Sequence, residues 1–149
     1  MDCVFCAISD GQLPAHVLHE DEHFLVLLDI FPLRPAHVLI VSREHAPLLG
    51  DLSVPARDAL LTLAARVAKA MYGCAELGVI GINFLLNDGP VANQHVPHLH
   101  LHLLPRRRGD VPALLWRILT RFLPLGRKRI EARLQRETQL LRLALQAEV

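Results

Sequence analysis

"PHLHLHLLPRRRG", residues 97–109, decides how this chain is read. His98, His100 and His102 alternate with Leu99, Leu101 and Leu103. A period of two is the period of a β-strand, so the leucines share one face and the histidines the other, with Cα atoms about 6.5–7 Å apart along each row. The row has two readings. It is the wet face of a strand whose leucines face a core, or it is a set of imidazoles that titrate near neutrality and serve as nucleophile, base or metal ligand.

Working outward, "HFLVLLD" (23–29) and "HVLIVS" (37–42) are apolar runs of strand length. The intervening "IFPLRPA" carries two prolines that exclude a helix, so the runs read as neighbouring antiparallel strands. "INFLLN" (82–87) is a third strand, followed by the loop "DGPVANQHVP" and by the histidine strand over 98–104, which Pro105 closes. Between them Ser53 caps a helix with Pro55 in its first turn, and Leu60, Ala64, Val67, Ala68 and Met71 recur at helical spacing before Gly73. From Asp110 the pattern turns helical: 111–123, a break at Pro124 and Gly126, then a basic helix with Ile130, Leu134, Leu141 and Leu145 on one stripe, a core stripe or a dimer face. The sum is an α+β domain, an antiparallel sheet with one long helix packed on it and a helical C-terminus. The division is 1–109 for the sheet domain and 110–149 for a helical extension on or beside it.

At 149 residues and 52% hydrophobic, the chain suits one compact domain with a substantial core. No apolar run reaches the roughly 18–20 residues of a membrane span, and "MDCVFCAISDG" lacks the basic-then-apolar order of a signal peptide. A soluble cytoplasmic protein with no membrane partner is the expectation. Three cysteines cannot all pair. Cys3 and Cys6 form a Cys-x-x-Cys, either a metal half-site or a reduced pair lying near the sheet, and Cys74 reads as a small buried hydrophobe. Residues 1–109 carry 8 Lys or Arg against 11 Asp or Glu, and residues 110–149 carry 8 against 4. The basic tail reads first as a solvated helix face. It lacks the interleaved aromatics that nucleic-acid stacking requires, so nucleic acid is not an expected partner.

The run "NDGPVANQHVPHLHLHLLPR", with "CVFCAISDG" and "LLDIFPLRPAHVLIVSREH" upstream, resembles the histidine triad (HIT) superfamily of nucleotide hydrolases and transferases over about residues 3–109. The resemblance implies a HIT fold, a homodimer, and cleavage of a small-molecule nucleotide at its α-phosphate through a nucleotidyl-histidine. Both dinucleoside polyphosphate hydrolases and nucleoside phosphoramidases fit, and a nucleotide-binding regulator or scaffold with little turnover is the alternative. It assigns the nucleophile to His100, phosphate hydrogen bonding to His102, phosphate and bridging-oxygen contacts to Gln94 and Asn87, the ribose hydroxyls to Asp29, the α-phosphate neighbourhood to His37 and the base pocket to Leu27 and Ile30. Some bacterial members hold a structural zinc, here through Cys3, Cys6, His45 and His98, and a zinc-bound His98 cannot protonate a leaving group. Ala36 and Ser42 depart from the family, standing where Gly and Pro are common. Arg106 and Arg107, at the strand's end, are candidates to reach longer phosphate chains.

Overall fold

The computed structural model describes residues 3–148. Among them the order is α1 (Val4–Ser9), β1 (Val17–Glu20), β2 (Phe24–Leu28), β3 (Val38–Ser42), α2 (Val54–Gly73), β4 (Gly81–Leu86), β5 (His100–Arg106), α3 (Val111–Thr120) and α4 (Arg127–Gln146). The strands form one antiparallel sheet in the order β1-β2-β3-β5-β4. The α+β architecture is that read from the pattern, with two additions. β1 is only four residues long and bulged where it meets β2, and α1 is a turn and a half. Neither carries enough periodic residues to be read in advance.

The period of two sets the layers. Phe24, Val26 and Leu28 of β2, Val38 and Ile40 of β3, and Leu99, Leu101 and Leu103 enter the main core beneath α2, where Leu60, Ala64, Val67, Ala68 and Met71 are buried as their spacing requires. Ile130, Leu134, Leu141 and Leu145 of α4 enter the same core, and α4 packs on α2 and β1. The opposite face holds a smaller cluster of Cys3, Phe5, Leu25, Leu27, Leu39 and Val41.

Three local expectations are corrected. Pro105 lies inside β5, opposite Ile82, rather than closing the strand. β3 ends opposite Leu103, so that side of Pro105 is an edge and its missing N–H costs no ladder bond. Ser53 precedes α2 but makes no side-chain cap; its own N–H is taken by Glu44 Oε1 at 2.7 Å. The helix of residues 111–123 ends at Thr120. Ala36 takes φ 60° while fully buried, a conformation that favours glycine and gives the departure from family sequence a steric cost.

The sharing of one core makes α4 a structural part of the domain. Leu141→Ala is expected to lose about 2–5 kcal/mol, whereas Leu143→Ala, at a position 66% exposed, should stay within about 0.5 kcal/mol. Urea unfolding followed by circular dichroism reads both. A separate early transition for the tail would show that it does not share the core.

Candidate functional site

The histidine face of β5 is not wet. His98 and His100 are buried and His102 half-buried, because Phe5 of α1 lies across the row with ring centroids 5.6 Å from His98 and 5.1 Å from His100. Each imidazole then meets a different neighbour. His100 Nδ1 is 2.7 Å from the His98 carbonyl. A carbonyl only accepts, so Nδ1 carries the proton and Nε2 keeps its lone pair. Burial lowers the His100 pKa, which favours the neutral ring.

His102 sits at the end of a relay. The Leu33 N–H donates to His37 Nδ1 at 3.2 Å, so His37 Nε2 bears the proton and donates to His102 Nδ1 at 3.0 Å. His102 therefore presents Nε2–H as a free donor on the face it shares with His100, whose ring centroid is 4.9 Å away. Burial, assisted by His37, pushes His102 down to about 3, and burial pushes His37 down to about 4. Both rings are neutral across the physiological range.

His98 faces elsewhere. Its Nε2 donates to the Ser42 carbonyl at 2.6 Å, leaving Nδ1 at 3.3 Å from Cys3 Sγ, 3.6 Å from Cys6 Sγ and 3.3 Å from His45 Nδ1. Cys6 Sγ is 3.3 Å from His45 Nδ1. All four ligand atoms lie within 4.8 Å of one another. Tetrahedral zinc with bonds of about 2.0–2.3 Å separates its ligands by roughly 3.3–3.8 Å, so this donor set fits the ion. The Ser42 carbonyl supplies the outer hydrogen bond that fixes a ligating histidine's tautomer.

The remaining predicted residues are placed as follows. Asp29, just beyond β2, is buried, accepts from the Phe31 N–H with Oδ1 at 2.8 Å and lies 3.6 Å from His37 Nδ1 through Oδ2. Leu27 is buried in the cluster on the histidine face, and Ile30 is 45% exposed. Gln94 spends its amide on the backbone: Oε1 accepts from the Gly89 N–H at 3.0 Å and Nε2 donates to the Pro47 carbonyl at 2.6 Å. Asn87 Nδ2 donates to the Asn93 carbonyl at 3.3 Å. These two amides staple the loop that precedes β5. Arg106 is held by Asp110, at 2.7–3.2 Å, and by Asn83 Oδ1.

Sequence reasoning missed the tail's part in this region. Arg121, after α3, donates to Asp29 Oδ2 at 2.9 Å. Arg117 Nε donates to the Pro32 carbonyl at 3.2 Å, and Arg127 donates to the Ile30 carbonyl at 2.7 Å. Phe122 lies between Phe31 and His95, at 5.5 and 6.0 Å between centroids. No local signal marks Arg121, which is 92 residues from its partner; only the excess of arginine in the tail hinted at it.

Comparison with known proteins places the sequence and the fold. The family model described as HIT domain matches residues 10–109. Adenosine 5'-monophosphoramidase of Schizosaccharomyces pombe is 36% identical over 106 residues, covering 71% of this chain and 75% of that protein. Adenylylsulfatase of Arabidopsis thaliana is 34% identical over 109 residues, 73% of this chain and 54% of that protein. A Zn-bound histidine triad family protein from Mycobacterium smegmatis superposes with a TM-score of 0.75 at 35% identity, covering 99% of this chain and 95% of that one. With the alternating histidines, the fold and the family model in agreement over most of its length, the chain belongs to the histidine triad (HIT) family.

Proposed function

We propose that this protein is a nucleotide hydrolase that cleaves at the α-phosphate through a nucleotidyl-histidine on His100. The observation that carries the reading is the His100 Nδ1–H to His98 carbonyl bond at 2.7 Å, which fixes one tautomer and aims an unprotonated Nε2 away from the backbone. Nε2 attacks phosphorus, a P–N bond forms as the P–O or P–N bond to the leaving group breaks, and the leaving group takes the proton it needs from solvent water. Water then displaces the imidazole and releases a nucleoside monophosphate. His102 Nε2–H, held by the His37 relay, donates to a phosphate oxygen as charge builds. Asp29 receives the ribose hydroxyls, sharing its carboxylate with or releasing Arg121. Leu27 and Ile30 flank the base, and Asn87 and Gln94 act as positioning residues for the loop over the phosphate. The substrate is a nucleoside phosphoramidate or a dinucleoside polyphosphate, and the names of the yeast and plant relatives favour an adenylyl group joined to a small leaving group.

A zinc ion held by Cys3, Cys6, His45 and His98 would supply structural closure, tying α1 and the segment after β3 to the base of the catalytic strand. With Nδ1 given to the metal and Nε2–H to Ser42, His98 has no proton for a leaving group. Two features support a homodimer: the unpaired outer edge of β4, where Phe84 and Leu85 are exposed, and the apolar side of α3, where Leu115, Trp116 and Leu119 are exposed. Among the described residues no helix is long and apolar enough to cross a membrane.

His100→Ala should lower kcat by about 10³-fold or more on whichever of adenosine phosphoramidate, diadenosine tetraphosphate or adenylyl sulfate the wild type turns over, while AMP affinity changes little. Turnover within a few-fold of wild type would remove the covalent mechanism. In the same assay the wild-type rate should show no acid limb from the relay at pH 5 and above, and should fall as pH approaches 4, where His37 gains a proton. A loss centred near pH 6.5 would mean the relay is not held neutral. Elemental analysis should find about one zinc per chain, absent from the Cys3→Ser, Cys6→Ser double variant; zinc unchanged in that variant would refute the ligand set. Sedimentation velocity at micromolar concentration should show a species of two chains, and a single-chain species would count against the dimer.

A further inference from the structure

A cluster of cationic groups lies away from the histidine row. Arg34 in the loop between β2 and β3, Arg117 of α3 and Arg133 of α4 line one cavity of about 170 Å³, together with Ile130. Three separate elements thus each contribute an arginine to the lining of one space. Among the described residues, Arg34 Nε, Arg117 Nη2 and Arg133 Nε are buried without a hydrogen-bond partner. Unsatisfied buried donors on charged groups are costly and seldom left without cause.

The nearby carboxylates do not meet that demand. Asp110 accepts three hydrogen bonds from Arg106 and one from the Arg107 N–H, so Arg34 reaches it only at 3.5 Å and without hydrogen-bond alignment. Glu137 Oε1 is 3.4 Å from Arg133 Nε, also unaligned, and burial pushes its carboxyl up against the opposing pull of the neighbouring arginines. Arg117 is oriented by the Pro32 carbonyl, a neutral acceptor. Arg106, Arg107, Arg121 and Arg127 add positive charge around the cluster, and burial lowers the pKa of both Arg34 and Arg117.

We propose that the cavity between the β2–β3 loop, α3 and α4 is a binding site for a tetrahedral oxyanion of the phosphate class, held by Arg34, Arg117 and Arg133. Planar guanidinium forks match phosphate oxygens, and donors arriving from three directions suit a group with three or four oxygens better than the two of a carboxylate. The cavity is smaller than the roughly 300 Å³ at which pockets for whole drug-sized ligands begin. It takes a free ion or the terminal phosphoryl group of a larger molecule that extends into solvent. The site is distinct from the catalytic row and would brace the tail against the loop that carries Asp29 and His37.

Thermal unfolding of the full chain in saturating AMP, which fills the catalytic site, separates the two locations. Inorganic phosphate and glycerol 1-phosphate are titrated at constant ionic strength, with acetate as the carboxylate control. Either phosphoryl ligand should raise the midpoint saturably, and the half-saturating concentration should rise about tenfold or more in Arg117→Met and in Arg133→Gln. Arg133 is a partly exposed α4 residue, so its variant keeps the test open if Arg117→Met fails to fold. Inorganic phosphate acting alone identifies a free ion, and glycerol 1-phosphate acting more strongly identifies a phosphomonoester; each supports the site. No rise with either ligand, a rise unchanged in Arg133→Gln, or an equal rise with acetate would overturn it.

Discussion

The two-residue alternation of β5 is the constraint on which everything else in the molecule depends. Leu99, Leu101 and Leu103 are locked into the core under α2 and α4, and a slip of one residue would drive imidazoles into that core. The leucines therefore fix where the histidines stand. Side chains two residues apart then acquire different chemistry from their surroundings alone: thiols beside His98, a carbonyl against His100, and a second imidazole against His102.

Burial converts that placement into reactivity. Water would let three neighbouring imidazoles titrate near 6.5 and orient freely. Phe5 and the cluster around Leu27 and Leu39 keep water away, so desolvation holds the rings neutral and single hydrogen bonds choose their tautomers. The short helix that carries Phe5 also carries Cys6 and directly follows Cys3, so the lid over the row and the proposed metal ligands come from one segment.

Much of this was legible in the sequence because it is written in periodic or type-specific residues. The alternation of β5, the apolar runs of β2 and β3 and the helical spacing of Leu60 to Met71 each bury what their period says they bury. The four sulfur and imidazole donors, Cys3, Cys6, His45 and His98, meet although they come from three separate stretches of chain. What escaped lacked a period or a local partner. β1 is too short to show alternation, and the Arg121 to Asp29 contact has no sequence signature. Gln94 meets backbone partners through both of its amide groups, which residue type alone does not specify.

The reach of Arg121 across 92 residues separates two kinds of evolutionary freedom. The bonds that orient His100 and His102 lie within the sheet and the β2–β3 loop, but the cation resting on Asp29 is delivered by the joint between α3 and α4. Lengthening or shortening residues 121–126 would move that cation while leaving the imidazoles untouched. The ion pair at Asp29 can therefore change with the length of a surface linker, in a part of the chain beyond the HIT-matched residues 10–109, without a single change in β5.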